Sequence, residues 1–362
     1  MKEHIAFDSH KYYTLVEHQE IATGYTRQRR LQHRPGVFVE HLRGIEPGTP
    51  VAVEATGNWY WIIGEIEQAG GLPLLVHPRK AKLMMGLINK TDKLDVHGLN
   101  RLQQNQSLPT VWIPPAPLRD LRELTRGRLT LTGQRTRLKN RLQAMLGKHG
   151  MAIEGCSDPF GKAARKQWKE RLKELPEQTQ WTAQQFLDQL DFINQQIAAQ
   201  EERLKQLLKV TPAMQRLQSM PGIGLILAST IAMEIGEIDR FSSAERLASY
   251  SGTTPRVHAS GDKMRFGRLR PDVNRYLKWA FVEAANTVAL NHKRQPQRHV
   301  SQRYQKIKER KGHAKAIGAV ARHLAEASYY VLSKEEDYLD PALNKKGKQS
   351  GSDQSGVSAT TA

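Results

Sequence analysis

Apolar residues fall in short β-rich runs over the first eighty positions and in long helical stripes over the remainder. His4-Ile5-Ala6-Phe7-Asp8 reads as a strand ending in an acid. Tyr12 to Val16 continues with β-formers, and Tyr25 to Leu31 gives a third strand after a turn at Gly24. Pro35 with Val37, Phe38 and Leu42 suggests a short helix. Thr49 to Glu54 is the clearest buried strand here, and it too ends in an acid. Gly57 breaks it, and Trp59, Ile62, Ile63 and Ile66 follow at helical spacing. Leu72 to Val76 is a further strand, closed by His77-Pro78, before a helix carrying Asp92 and Asp95. Strands alternating with helices predict an α/β domain over residues 1–110, with acids at strand ends where ligand sites tend to lie.

Pro109 and the Pro114-Pro115-Ala116-Pro117 cluster mark a boundary, because proline cannot continue a helix. Beyond it Leu118, Leu121, Leu124, Leu131, Leu138, Leu142 and Met145 recur every three to four residues or a multiple of that. Residues 118–148 hold nine Lys/Arg and two Asp/Glu, so the polar face is strongly basic, and Arg126, Arg135, Arg137, Lys139 and Arg141 become nucleic-acid-binding candidates. A solvated surface helix is the plainer reading. Residues 150–180 read as irregular. From Trp181 the series Phe186, Leu190, Ile193, Ile197, Leu204, Leu207 has the spacing of a coiled-coil seam, interrupted at Gln200. Its partner is either the basic helix, as an antiparallel hairpin, or another subunit. Residues 111–212 are therefore read as a helical linker and oligomerisation region.

A second compact domain, mainly α, is expected over 213–340. Pro221-Gly222-Ile223-Gly224 before the apolar run Leu225–Ile235 looks like the turn of a helix-hairpin-helix module. In that reading Gly222 and Gly224 let backbone N–H groups at a helix start face a phosphate; a plain helix cap would look similar. Residues 256–315 carry sixteen Lys/Arg against four Asp/Glu. Tyr276, Leu277, Trp279, Ala280, Phe281 and Ala284 give one helix its core face, and Ile317, Val320, Ala321, Leu324, Ala327 and Tyr330 give another. Residues 341–362, rich in Lys, Gly, Ser, Gln and Thr, read as a disordered tail.

Over the 362 residues, 55 Lys+Arg against 36 Asp+Glu give a net charge of +19 and a pI near 10.0. That excess points to a polyanion, nucleic acid before an anionic membrane. No apolar run reaches the roughly 20 residues that span a bilayer, and the first residues lack a secretory apolar stretch. One cysteine, Cys156, excludes an internal disulfide and a cysteine-based zinc cluster. A cytoplasmic protein facing nucleic acid is expected.

Candidate chemistry centres on Lys90-Thr91-Asp92-Lys93-Leu94-Asp95. Carboxylates three residues apart share one helix face and repel unless a hard cation such as Mg²⁺ lies between them. With Asp8 and Glu54 they could hold two metal ions about 4 Å apart for phosphoryl transfer. The alternative for Asp92 and Asp95 is a solvated pair bridged to Lys90 and Lys93, worth little. His97 reads better as a satisfied helix histidine than as a ligand.

Phe7-Asp8-Ser9, Val53-Glu54-Ala55-Thr56-Gly57 and Lys90-Thr91-Asp92-Lys93-Leu94-Asp95 resemble the acidic motifs of the DEDD-type, bridge-RNA-guided insertion-sequence transposases (the "IS one-ten" family). Pro221-Gly222-Ile223-Gly224, Leu247 to Pro255, Ser260-Gly261, Gly267-Arg268 and Arg275-Tyr276-Leu277 follow in the family's order. The resemblance runs from about residue 4 to about residue 335. It implies a RuvC-like, RNase-H-like N-terminal domain in which Asp8, Glu54, Asp92 and Asp95 bind Mg²⁺ or Mn²⁺. It further implies that Ser260 attacks a DNA phosphodiester to give a covalent phosphoserine link before strand exchange. A noncoding RNA of the element would pair with donor and target DNA, and a homo-oligomer, dimer or tetramer, would assemble the active site from different protomers. A bacterial, nucleoid-associated protein is implied. Family members often read Ser-Ser-Gly-Gly where this chain reads Ala259-Ser260-Gly261-Asp262; alignment on Lys263 puts Ser260 at the second serine.

Serine attacks phosphorus only when its proton is removed or its oxygen polarised. Gly261 permits close approach, and Lys263, Arg265, Arg268, Arg270 and Arg275 supply cations for phosphate. Two other readings stay open: a junction-resolving endonuclease using water, with Ser260 idle, and a non-catalytic nucleic-acid-binding protein.

Overall fold

Ile5, Ala6 and Phe7 are consecutive and all fully buried, so their strand is covered on both faces. The computed structural model describes residues 3–86, 91–207, 210–261, 263–269 and 273–343, and the chain forms two compact units divided after Pro114.

In the first unit β1 (Glu3–Ser9) is central. It pairs antiparallel with β2 (Tyr13–Glu20), which pairs antiparallel with β3 (Thr26–Gln32). On its other side β1 pairs parallel with β4 (Pro50–Glu54), which pairs parallel with β5 (Leu72–Val76). The order is β3-β2-β1-β4-β5. Alternation along the strands sorts two cores. Ile5, Phe7, Val51 and Val53 pack with Phe38 of α1 (Val37–His41) and with Ile62, Ile63 and Ile66 of α2 (Trp59–Gln68). The small Ala6 and Ala52 face Val96, Leu99 and Leu102 of α4 (Asp92–Gln104), so that helix sits close to the strand ends.

A short helix not expected from the sequence, α3 (Pro78–Met85), starts on its proline. The unit runs past the expected boundary at 110 because Val111 N–H donates to Leu75 O and Ile113 joins the core.

In the second unit α5 (Ala116–Gly147) and α7 (Glu177–Leu207) pack antiparallel. Gly127 near the start of α5 meets Gln200 near the end of α7, while Leu142 and Leu146 meet Ala183 and Leu187. The internal hairpin is thus the observed partner of the seam. The polar Gln200 fits it because a Cβ on Gly127 would lie 3.0 Å from the Gln200 amide nitrogen. Between them the segment read as irregular contains α6 (Ala164–Lys173), whose buried Trp168 donates to Pro159 O at 2.7 Å. Its mostly charged sequence hid the helix.

Leu118, Leu121 and Leu124 of α5 pack on the core built by α8 (Pro212–Gln218), α9 (Leu225–Ile235) and α10 (Ala244–Tyr250) together with α11 (Arg275–Asn291), α12 (His299–Lys311) and α13 (His313–Ser333). The long helices and the C-terminal core are therefore one unit. The mainly helical expectation needs one correction: β6 (Pro255–Ser260) and β7 (Lys263–Leu269) form an antiparallel hairpin. Of the tail expected over 341–362, residues 344–362 lie outside the described residues. No described helix is long and apolar enough to cross a membrane.

Candidate metal centre and serine hairpin

β1 and β4 run parallel with Phe7 opposite Val53, so Asp8 and Glu54, one residue further along, sit on neighbouring strands at the same end of the sheet. Asp92 and Asp95 occupy the first turn of α4, capped by Thr91, whose side chain accepts from Leu94 N–H. Carboxylates there are favoured by the helix dipole. Burial raises the Asp8 carboxyl above its ordinary value; His10 opposes this, and the negative charges of Asp92 and Asp95 reinforce it. The acids from β1 and α4 thus share one field.

A residue the sequence reading did not single out completes the cluster. His10 Nε2 lies 3.2 Å from Asp8 Oδ2 and 3.3 Å from Asp92 Oδ2, and Asp8, His10 and Asp92 present donor atoms within 4.8 Å of one another. Tyr13 donates to Asp92 at 2.8 Å. The available signal was a histidine two residues after a strand-ending acid, in a tight turn. Behind the site, Glu17 is fully buried yet accepts from Asn100 Nδ2 at 2.9 Å and Gln28 Nε2 at 2.6 Å. His97 Nδ1 also lies 3.1 Å from Glu17, so His97 is a satisfied helix histidine. Oxygen-rich donors that include an acid whose ionised form burial disfavours fit a hard divalent cation, whose charge would stabilise that form.

Ser260 is exposed at the last position of β6 and pairs in register with Lys263, with Gly261 between them at φ +56°. Arg265 on β7 is exposed. Arg270 lies outside the described residues, as do the side chains of Lys263 and Arg268. At the hairpin's base Gly252, at φ +69°, packs so closely that a Cβ would stand 2.3 Å from Val273 Cγ2. Asn274 caps α11, accepting from Tyr276 and Leu277 N–H, and Arg275 is exposed beside it.

The other basic candidates divide. Arg137 and Arg141 are exposed on α5 and Arg135 is half-buried, while Lys139 lies 3.5 Å from Asp158. Arg126 is held internally by a bidentate pair with the fully buried Glu234 at 2.7 and 3.0 Å. Gly222 has φ +79°, and a Cβ there would stand 2.4 Å from Ala284 O; Gly224, which precedes α9, has open space. The first glycine is thus required by packing. A cleft of about 1090 Å³ at the foot of the hairpin, missed in the sequence, is lined by Arg303, Arg310, Lys311, Lys315 and Arg322 with one acid, Glu326.

Residues 37–150 match a family described as a DEDD transposase of IS110 type, and residues 214–302 match the transposase family IS116/IS110/IS902. The first stretch holds Glu54, Asp92 and Asp95 and the second holds Ser260. A protein of Pseudomonas aeruginosa named "Probable family 20 transposase" is 26% identical over 67% of this chain and 72% of its own. The transposase for element IS1111A of Coxiella burnetii is 24% identical over 87% and 84%. That for IS1328 of Yersinia enterocolitica is 25% identical over 66% and 70%. An acidic centre on a mixed sheet, followed by a basic helical unit with these matches, defines a DNA transposase. The chain is an insertion-sequence transposase of the IS116/IS110/IS902 family, and its DEDD-type domain implies a divalent metal ion.

Proposed function

We propose that the protein is an RNA-guided DNA transposase in which Ser260 forms a covalent link to DNA and the acids Asp8, Glu54, Asp92 and Asp95 act on the same step. The observation carrying this reading is the pairing of a burial-raised Asp8 with Asp92 at strand and helix ends, in a chain that also presents an exposed serine at a hairpin end. The first unit is read as RNase-H-like: three antiparallel strands followed by two parallel ones, with acids at adjacent strand ends, supports it.

In the reaction the Ser260 oxygen attacks phosphorus, one P–O bond forms, and one P–O bond to a deoxyribose oxygen breaks. The serine proton is given up and the leaving alkoxide takes one. Transesterification conserves the number of phosphodiester bonds, so the DNA can be rejoined by the reverse step without an energy donor. A bound divalent ion, Mg²⁺ or Mn²⁺, supplies positive charge where the phosphate gains negative charge. Exposure of Ser260 leaves its oxygen open to a backbone, and Gly261 keeps the neighbouring position free of a Cβ.

The exposed Arg137, Arg141, Arg265 and Arg275 and the basic cleft support phosphate-backbone contacts, which position DNA without reading its sequence. Sequence choice then falls to an element-derived noncoding RNA. Because acids and serine belong to different units, a homo-oligomer is proposed as the working form. The turn at 219–224 between α8 and α9 is read as a helix-hairpin-helix phosphate contact through Gly224. The test is recombination between donor and target plasmids with and without the element's RNA. Product that requires the RNA and follows compensatory changes in its pairing segments supports the reading; product formed without RNA overturns the guidance.

A further inference from the structure

We infer that His10 is a metal ligand, its Nε2 joining the Asp8 and Asp92 carboxylates around one divalent cation. The inference rests on the proposed metal centre and adds to it a nitrogen donor.

The distances suit donors arranged around one cation. An imidazole Nε2 carries at most one hydrogen, yet this one faces two carboxylate oxygens at 3.2 and 3.3 Å. A charge-assisted N–H···O bond closes to about 2.7–2.9 Å; the Asp8 contact is a long hydrogen bond and the Asp92 contact is longer still. Donors in cis positions on an octahedral ion with bonds of about 2.1 Å stand about 3 Å apart, near the observed separations.

The ring is held where a ligand should be. It stacks on Tyr13 with centroids 4.6 Å apart and planes at 28°, and Arg30 lies 3.7 Å over the same Tyr13 ring. The Tyr13 hydroxyl binds Asp92, so one aromatic residue orients two donors. His10 N–H donates to Tyr13 O at 2.9 Å, and His10 O accepts from Asn58 Nδ2 at 2.9 Å, while Asn58 is fixed by Thr56 at 2.7 Å. Outer contacts of this kind orient ligands in metal sites.

A mixed nitrogen and oxygen set is less suited to Mg²⁺, which takes oxygen ligands, and better suited to Mn²⁺ and later metals, which accept imidazole. The site should therefore hold Mn²⁺ more tightly than an all-carboxylate centre would.

The experiment is Mn²⁺ titration of the full chain followed by electron spin-echo spectroscopy, which detects ¹⁴N on the ion, in wild type, His10→Ala and Asp8→Asn, with circular dichroism as the check of folding. Expected are nitrogen modulation in wild type, its loss in His10→Ala, and a Mn²⁺ affinity roughly tenfold weaker in that variant, with Mg²⁺ affinity changed much less. Mn²⁺ bound with no nitrogen signal, or a signal unchanged in folded His10→Ala, overturns the role of His10 alone. Mn²⁺ binding identical in wild type and Asp8→Asn overturns the underlying metal centre as well.

Discussion

Asn274 donates a 2.8 Å hydrogen bond to Glu234, joining the residue that starts α11, just after the serine hairpin, to a carboxylate fully buried in α9. The same carboxylate binds Arg126. Arg122 donates to Met233 O and Glu234 O, and Arg240 to Ile235 O and Glu234 O, so two guanidiniums cap the end of α9. One buried acid thus ties α5 and α9 to the base of the hairpin. Removing one partner of such a pair strands the others in the core. Glu234→Gln is expected to lower unfolding free energy by about 3 kcal/mol or more, and Asn274→Ala by about 1 kcal/mol through the lost cap. Urea denaturation checks both; equal, small shifts would contradict the network's weight.

Gly222→Ala must place a Cβ against Ala284 O and hold a positive φ, whereas Gly224→Ala meets nothing. The first is expected to cost at least about 1–2 kcal/mol from backbone conformation alone, and the second a few tenths or less. Thermal melts of the two variants separate them. If Gly224→Ala stays folded yet binds DNA normally, the phosphate contact proposed for that turn is removed.

Asp8, Glu54 and the Asp92/Asp95 helix were legible because an acid closing an apolar strand and two acids sharing a helix face are local patterns. So was the α7 seam, whose antiparallel partner the sequence left open. His10 was not legible, since its meaning depends on Asp92 arriving from more than eighty residues away. The β6–β7 hairpin lacked apolar alternation, with Val257, Met264 and Arg265 all exposed. Strand β2 continues past Val16 through Glu17, His18 and Gln19, all buried, with Asn100 of α4 bonding Glu17 and with Glu3 and His41 bonding His18. Buried charges such as Arg122 and Glu234 carry no local signal, because they pair across the fold.

His41 is pushed down to about 4, chiefly by burial and further by His18 and the nearby Arg29 and Arg27. Because the unfolded chain binds that proton more tightly, stability falls as pH drops from about 6.5 toward 4. Melting of the chain is expected to show this loss in its N-terminal unit, and His41→Gln to flatten it. A His41→Gln profile parallel to wild type over that window would contradict the assignment.

The basic cleft makes a salt-dependent claim. Arg310→Ala with Lys311→Ala should weaken duplex binding uniformly across sequences and reduce the slope of log K against log salt by about two. Folding should be unaffected, since both side chains are exposed. Fluorescence anisotropy at several salt concentrations reads the slope; an unchanged slope would remove the cleft from the DNA path.

The most direct test is covalent trapping. Protein, element-derived RNA, Mg²⁺ or Mn²⁺ and labelled donor and target DNA are incubated and run on a denaturing gel, with Ser260→Ala and Asp92→Ala beside wild type. A labelled protein band in wild type, absent from Ser260→Ala and lost or strongly reduced in Asp92→Ala, is the expected result. DNA cleaved without any adduct, and cleaved equally by Ser260→Ala, would contradict the serine mechanism and favour water as the nucleophile.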